Sequence, residues 1–281
     1  MVKKNCSIQG IHDRAILYDV FEATQQVKDI VIVYIHGFNG FKDWGSFDLI
    51  GKHFQQSGYH FVKFNTSHNG TTLSHPEEFV DLEAYGNNNY SKEIADTKTI
   101  IWHIKNELFT NSKPIRIALL GHSKGGGVAT LVASQMHEVD ALITWASVAH
   151  ANTPFGQWNP KRIEQWKAEG VFYYHNKRTH QKMPIYYQLY EDYMAHQQEY
   201  DIQKALKDFS KPHLIQHGTL DEAVPFSTAQ LLHSWNPKAV LKSYETNHVF
   251  DRKHPWTLGS LPTATLMALQ DMQLFLAEMG L

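Results

Sequence analysis

The stretch over residues 115–136 reads Ile-Arg-Ile-Ala-Leu-Leu-Gly-His-Ser-Lys-Gly-Gly-Gly-Val-Ala-Thr-Leu-Val-Ala-Ser-Gln-Met. Its first six residues are mostly apolar and predict a buried strand, and residues 126–137 predict a helix. Between them lies a Gly-x-Ser-x-Gly pattern, in which Gly121 and Gly125 flank Ser123. A serine in such a turn adopts a strained backbone conformation, and the glycines leave room for neighbouring chain. The stretch therefore predicts a candidate nucleophile, Ser123, at the end of a buried strand.

Strand and helix patterns alternate on both sides of this turn. Residues 29–35 form a short, nearly continuous β-branched run that predicts a parallel strand buried on both faces, and the next candidate strands are 59–65, 115–120, 141–147, 213–217 and 239–244. Helical patterns fall between or after them at 47–57, 92–109, 126–137, 226–235 and 264–279. Residues 6–11 and 15–21 predict an N-terminal pair of antiparallel strands. The order predicts an α/β fold with a mostly parallel, doubly wound sheet.

One connection is far longer than a crossover requires. About 60 residues separate Ser147 from His213, whereas a crossover needs roughly 10–15. We predict a core made of residues 1–148 and 212–281, with residues 149–211 as an inserted, aromatic-rich helical cap. The aromatic side chains either pack as the core of this cap or also line a pocket. Residues 68–91 are polar and predict a long loop.

Composition excludes several kinds of partner. The 281 residues include 26 basic and 28 acidic side chains, so the chain lacks the cationic surface that binds nucleic acid or anionic lipid. The longest apolar run, residues 30–35, is far shorter than a membrane helix. The N-terminus does not resemble a signal peptide, and the single cysteine, Cys6, excludes an internal disulfide. We expect a cytoplasmic protein that acts on a neutral small molecule.

Histidine is the one unusual component, with 18 residues. A metal site would require ligand spacings such as His-Glu-x-x-His, which the sequence lacks. The histidines are instead spread over segments of different predicted structure. We therefore expect neither a metal nor a cofactor.

A serine nucleophile needs a histidine as base and a carboxylate to orient that histidine. Asp221 follows the predicted strand 213–217, and His248 follows the predicted strand 239–244. Serine, aspartate and histidine thus occur in this order, each at the carboxyl end of a strand, as in a hydrolase triad. Glu222 is the alternative acid and His254 the alternative base, and Ser123 could be a simple turn residue.

An oxyanion hole requires two converging backbone N–H groups. Lys124 directly follows the candidate nucleophile, and Phe38 follows the first buried strand. Their backbone N–H groups are the expected donors. The residues expected to shape these turns are His36, Gly37, Gly121, His122 and Gly125.

With these motifs the chain resembles the α/β-hydrolase superfamily over most of its length. The run from His36 to Gly45, His-Gly-Phe-Asn-Gly-Phe-Lys-Asp-Trp-Gly, is similar to one in bacterial dipeptidyl-aminopeptidase or acylaminoacyl-peptidase-like hydrolases. That group overlaps with cinnamoyl and feruloyl esterases. The resemblance implies hydrolysis through an acyl-enzyme without a cofactor. Lys124 departs from the arginine, glutamine or methionine more usual at its position.

The sequence therefore predicts a carboxylesterase-like serine hydrolase acting on small to medium acyl groups, with aromatic acyl groups among them. A small peptidase, an amidase or a thioesterase would use the same three side chains, so these remain alternatives. A non-catalytic ligand-binding protein of the same fold is the alternative from another class. The sequence gives no indication of oligomeric state.

Overall fold

The computed structural model describes residues 1–109 and 115–281. Within these residues, ten strands occur in two sheets. In chain order they are β1 (Val2–Gln9), β2 (Ala15–Phe21), β3 (Ile30–Ile35), β4 (His60–Asn65), β5 (Arg116–His122), β6 (Val139–Trp145), β7 (Val171–Asn176), β8 (Gln181–Tyr186), β9 (His213–Gly218) and β10 (Val240–Tyr244). The main sheet has the order β1-β2-β4-β3-β5-β6-β9-β10. Its six strands from β4 to β10 are parallel, and β1 and β2 pair antiparallel at one edge, which confirms the predicted fold class.

Helices cover both faces of this sheet. They are α1 (Phe47–Gln56), α2 (Leu82–Gly86), α3 (Tyr90–His103), α4 (Lys124–Gln135), α5 (Pro160–Glu169), α6 (Gln188–Ala195), α7 (Ile202–Lys207), α8 (Phe226–Trp235) and α9 (Thr263–Glu278). A π-helical turn, Ile104–Leu108, extends α3. None of the helices in the described ranges has the length and apolarity that crossing a membrane requires.

The sheet separates two hydrophobic cores because side chains along a strand alternate between its faces. In β3, Val31, Val33 and Ile35 pack with residues of α3 and α4. Ile30, Ile32 and Tyr34 point to the other core, which contains residues of α1 and α9. All six residues of β3 are buried, so the strand is apolar on both faces, as its sequence predicts.

Element boundaries differ from the predicted ones in a few places. The N-terminal strand β1 begins at Val2 rather than Cys6, and α4 begins at Lys124, directly after Ser123. The predicted loop 68–91 contains the short helix α2, which begins where the Asp81 carboxylate accepts a hydrogen bond from the Ala84 N–H. These differences leave the order of strands and helices unchanged.

The segment 149–211 contains more than helices. It includes α5, α6 and α7, but also a two-stranded antiparallel hairpin, β7 and β8, that the predicted helical cap did not include. Its aromatic residues pack mainly on one another, with Trp166 at the centre of a cluster that also contains Phe155, Trp158, Tyr187 and Tyr190. Because Trp166 is 1% exposed, this cluster forms the interior of the segment itself.

Candidate active site

Ser123 lies in the sharp turn between β5 and α4, where its backbone has φ 56° and ψ −122°. This left-handed conformation is strained for a residue with a side chain. It is held by a hydrogen bond from the Ser123 N–H to the Trp145 carbonyl, at 2.9 Å. A Cβ on Gly121 would overlap the Gly125 carbonyl oxygen, and one on Gly125 would overlap the His36 carbonyl oxygen. Both glycines are therefore required by close backbone packing.

His248 and Asp221 form a direct side-chain pair. The Nδ1 atom of His248 is 2.7 Å from Oδ2 of Asp221. The Asp221 side chain is fully buried, and the His248 side chain is 22% exposed. With Nδ1–H donating to the carboxylate, Nε2 is the free acceptor of the ring. His248 and Ser123 line the same cleft.

Further donors surround the Asp221 carboxylate. The backbone N–H groups of Ala223 and Val224 donate to Oδ1 at 2.9 and 2.8 Å. Nε2 of the fully buried His217 is 3.2 Å from Oδ2 and 2.8 Å from the Val224 carbonyl oxygen. Burial alone would raise the pKa of Asp221, but the hydrogen bonds from His217, His248 and Val224 hold it below its usual range. The carboxylate is therefore ionised at neutral pH.

The alternative acid and base lie elsewhere. Glu222, next to Asp221, is exposed. His254 accepts a hydrogen bond at Nδ1 from the Gly45 N–H, at 3.0 Å, and its ring stacks on Trp44. Of the two candidate histidines, His248 is thus the one that contacts a buried carboxylate.

Two further histidines hold the backbone of the site. Nε2 of His122 donates to the His248 carbonyl oxygen at 2.9 Å, and burial together with the nearby His248 and Arg252 keeps the pKa of His122 well below its usual value. Nδ1 of His36 is 3.0 Å from the Gly37 carbonyl oxygen, and burial lowers the pKa of His36 as well. Both rings are therefore neutral at neutral pH, and each is hydrogen-bonded to a backbone carbonyl oxygen of a loop at the site. Their role in shaping these turns stays a prediction.

The loop after β3 lies against the serine turn. A Cβ on Gly37 would be 3.0 Å from the Cβ of Ser123. Within the described residues, the N–H groups of Phe38 and Lys124 have no backbone or side-chain acceptor. For Lys124 this follows from its place as the first residue of α4, where helical N–H groups lack partners.

A contact that the sequence analysis missed connects the loop after β3 to two tyrosines. The side-chain oxygen of Asn39 accepts hydrogen bonds from the hydroxyls of Tyr85 and Tyr174. The two hydroxyl oxygens are 2.6 Å apart, and the Tyr174 ring packs against Phe38 at 5.8 Å between centroids. Tyr85 belongs to α2 and Tyr174 to β7, so segment 149–211 contacts the loop that carries Phe38.

The Lys124 side chain forms a buried ion pair. Its Nζ is 2.9 Å from Oε1 of Glu93, and the two side chains are 3% and 7% exposed. Nζ also lies 4.4 Å from the centre of the Tyr90 ring, at a distance typical of a cation–π contact. Glu93 and Tyr90 both belong to α3, so the pair joins α3 to the first turn of α4.

One group of acidic residues has the spacing of a metal site. Among the described residues, the carboxylate oxygens of Asp19, Asp43 and Asp48 lie within 4.8 Å of one another, close enough to hold a metal ion. Lys63 pairs with all three, and its side chain is fully buried. Because lysine ammonium groups already occupy the positions of a cation, the cluster is an ion-pair network beneath the loop after β3.

The cleft that contains Ser123 and His248 has a volume of about 310 Å³. Phe38, Trp44 and Tyr34 supply its aromatic surface. Asn176 and Arg178, from the turn of the β7–β8 hairpin, complete it, and the sequence analysis did not identify either residue. The signal was a polar run, Asn-Lys-Arg-Thr-His, between two aromatic runs, which is typical of a hairpin. A larger apolar groove of about 690 Å³, lined by Ile11, Ile94 and Trp102 among others, includes neither Ser123 nor His248.

This sheet, with a serine in a left-handed turn and a histidine–aspartate pair beside it, defines an α/β-hydrolase fold. The chain belongs to the family described as serine aminopeptidase, S33, whose model matches residues 26–248. The fold and the matched family model thus agree that the protein is a hydrolase.

Solved structures share the fold across nearly the whole chain. A proposed hydrolase from Agrobacterium vitis S4 is 17% identical, with a TM-score of 0.75 over 98% of this chain and 99% of that one. Est1E from Butyrivibrio proteoclasticus, with ferulic acid bound, is 15% identical, with a TM-score of 0.71 over 96% and 98%. A monoglyceride lipase from Saccharomyces cerevisiae is 16% identical, with a TM-score of 0.71 over 99% and 95%. No curated protein matches the sequence.

Proposed function

We propose that the protein is a serine hydrolase that cleaves carboxylic esters of small to medium acyl groups through an acyl-enzyme on Ser123. The observation that carries the proposal is the 2.7 Å pair between His248 and the buried Asp221, in a cleft shared with Ser123. Such a pair fixes the tautomer in which Nε2 can accept a proton. The strained turn at Ser123 supports the same role.

In the proposed reaction, the Ser123 hydroxyl attacks the ester carbonyl carbon while Nε2 of His248 accepts its proton. The oxyanion is stabilised by the unpaired N–H groups of Phe38 and Lys124. The C–O bond to the alcohol then breaks, and the alcohol leaves with the proton from His248. Water attacks the acyl-serine in the same way, releases the acid and restores the hydroxyl.

Aromatic acyl groups fit the side chains of the cleft. Phe38, Trp44 and Tyr34 offer ring surfaces, and aromatic groups stack favourably on such surfaces. The likeness to Est1E, which binds ferulic acid, supports the same class. We also propose that the chain belongs to the subgroup of hydrolases that resemble dipeptidyl-aminopeptidases and feruloyl esterases.

A small aminopeptidase is the second candidate, favoured by the description of the matched family. An aminopeptidase must bind the α-ammonium group of its substrate, for which a carboxylate in the cleft is the usual partner. The described residues that line the cleft include no aspartate or glutamate, but they do include Arg178. This charge arrangement favours the ester over the aminopeptidase substrate.

The test is hydrolysis of 4-nitrophenyl esters of graded acyl size, compared with 4-nitroanilides of the same acids. The native chain is expected to cleave the esters, and Ser123→Ala to lower kcat by about 10⁴ or more. Ser134→Ala is the matched control, because the Ser134 hydroxyl only caps the Leu131 carbonyl at the far end of α4. Full activity of Ser123→Ala would refute the proposal, and faster cleavage of anilides would favour the peptidase.

A further inference from the structure

Arg178 lies in the hairpin turn that reaches the catalytic cleft. The turn is held by Asn176, whose side-chain oxygen accepts from the Arg178 N–H at 3.0 Å and whose carbonyl accepts from the His180 N–H at 2.8 Å. Next to it, the Gln181 side chain donates to the Phe79 carbonyl oxygen at 2.8 Å. Because these bonds fix the turn against the core, Arg178 is presented to the cleft from an ordered backbone.

The guanidinium group of Arg178 rests on aromatic rings. Its carbon lies 5.4 Å from the centre of the Phe41 ring and 5.7 Å from that of Phe79. In the part of the chain that the structure describes, no carboxylate pairs with it. The titratable groups near it are His254 and the Tyr174 hydroxyl, and neither is an anion at neutral pH. The cation therefore has a fixed position without a protein counter-charge.

Among the described residues, the rest of the cleft lining provides no carboxylate that could pair with the Arg178 guanidinium group. This lining consists of aromatic, glycine, amide, serine, histidine and valine residues besides Arg178. Asp221, the acid of the proposed triad, is already hydrogen-bonded to His248 and His217. A guanidinium group presents a planar fork of N–H donors that matches a carboxylate with two parallel hydrogen bonds.

We propose that Arg178 binds a carboxylate carried by the substrate, so that the esters cleaved at Ser123 bear a free acid group. This inference rests on the proposed function and narrows it from esters in general to anionic esters. The near-zero net charge of the chain does not oppose it, because recognition depends on the local charge of the cleft. The carboxylate belongs either to the acyl part or to the alcohol part, and matched substrates distinguish the two.

The experiment compares two pairs of esters that differ in one charge. The first pair is the 4-nitrophenyl monoester of adipic acid and its analogue with a terminal carboxamide. The second pair is the butyryl ester of 4-hydroxybenzoate and that of 4-hydroxybenzamide. In one of the pairs, the native chain is expected to show a kcat/KM about tenfold higher for the anionic member. This is the lower end of the effect of a charged hydrogen bond, because the Arg178 side chain is exposed to solvent.

Variants of the turn assign this preference to one side chain. Arg178→Gln is expected to remove the preference, so that the anionic and neutral members of the pair are cleaved with equal kcat/KM, and Arg178→Lys is expected to retain part of it. Lys177→Gln is the matched control, since Lys177 is an exposed cation in the same turn that does not line the cleft. Equal kcat/KM within both pairs, or a preference that survives in Arg178→Gln, would overturn the inference.

Failure of the proposed function gives a different result. If the native chain cleaves none of the four esters, the ester-hydrolase proposal is wrong. Calorimetric binding of the same esters to Ser123→Ala, with and without Arg178→Gln, then decides the inference independently of turnover. Tighter binding of the anionic ester that depends on Arg178 supports it, and equal binding of both esters refutes it.

Discussion

Replacing Glu93 with glutamine removes one half of the buried ion pair beneath the serine turn. The Lys124 ammonium then remains between α3 and α4, where its side chain is 3% exposed, without the carboxylate that lies 2.9 Å away. Breaking a buried pair in this way costs about 3–5 kcal/mol of unfolding free energy, because the remaining charge is not solvated. The glutamine oxygen can still accept from Lys124, and the Tyr90 ring stays 4.4 Å from Nζ. We therefore expect the lower end, about 3 kcal/mol.

Urea unfolding followed by tryptophan fluorescence measures this loss of unfolding free energy. In a thermal melt of a chain of this size, about 3 kcal/mol corresponds to a decrease in Tm of roughly 6–12 °C. The double variant Glu93→Leu with Lys124→Met is the matched control, since an apolar pair of similar volume is often as stable as the ion pair it replaces. It should recover most of the lost stability. It should also retain activity, because the proposed oxyanion donor is the backbone N–H at position 124.

Two results would refute this reasoning. A loss below about 1 kcal/mol in Glu93→Gln would mean that the ammonium finds solvent or another partner. A double variant as unstable as the single one would mean that the two side chains stabilise the protein independently rather than as a pair.

Two further predictions follow from packing and from protonation. Gly121→Ala should destabilise the protein by about 3 kcal/mol, because its Cβ would overlap the Gly125 backbone. Gly259→Ala has open space around its Cβ and should melt as the native chain does, and equal Tm values for both variants would contradict this prediction. Burial lowers the pKa of His213 to about 3, so between about pH 6.5 and 3 only the unfolded chain takes up a proton at this ring. The unfolding free energy should therefore fall in this range by up to about 1.4 kcal/mol per pH unit as the pH decreases. Urea titrations at several pH values should show a smaller slope for His213→Gln.

The main sheet could be predicted from sequence because its inner parallel strands are buried on both faces. The run Ile30–Ile35 is apolar throughout, and β5 and β6 are also mostly apolar and buried. The strands β4 and β9 are buried but include polar residues, and the edge strand β10 is only partly buried. The positions of Ser123, Asp221 and His248 could be predicted for a related reason. Each lies at or shortly after the carboxyl end of a parallel strand, and these ends meet at one edge of the sheet.

The hairpin of segment 149–211 could not be predicted with the same certainty. Its strands β7 and β8 belong to a small separate sheet, with many tyrosines that suit a helix, a strand or a pocket wall equally well. Side-chain contacts were also beyond reach. Asn39 and Tyr174 are 135 residues apart, and Glu93 and Lys124 are 31 residues apart. No local pattern indicates which polar residues meet across such distances.

For the histidines near the site, position could be predicted from sequence but hydrogen-bond partners could not. His36 and His122 are expected from sequence to shape the turns of the site, and His217 ends the predicted strand that precedes Asp221. In the structure, a ring nitrogen of each lies within hydrogen-bonding distance of a backbone carbonyl oxygen. Sequence gave no means to tell which nitrogen would donate or to which carbonyl. That depends on burial and loop geometry, which only the folded chain defines.

The contacts of the β7–β8 hairpin have a consequence for how selectivity can change in this protein. The proposed reacting groups all lie outside residues 149–211, and the hairpin turn touches the cleft through Asn176 and Arg178 alone among the described residues. With the proposed role of Arg178, a substitution there changes which substrates bind in the cleft and leaves Ser123, His248 and Asp221 in place. Tyr174, on the same hairpin, contacts the loop of Phe38 and must be retained. Evolution and protein engineering can thus vary the recognised substrate at one turn position while the chemistry is inherited unchanged.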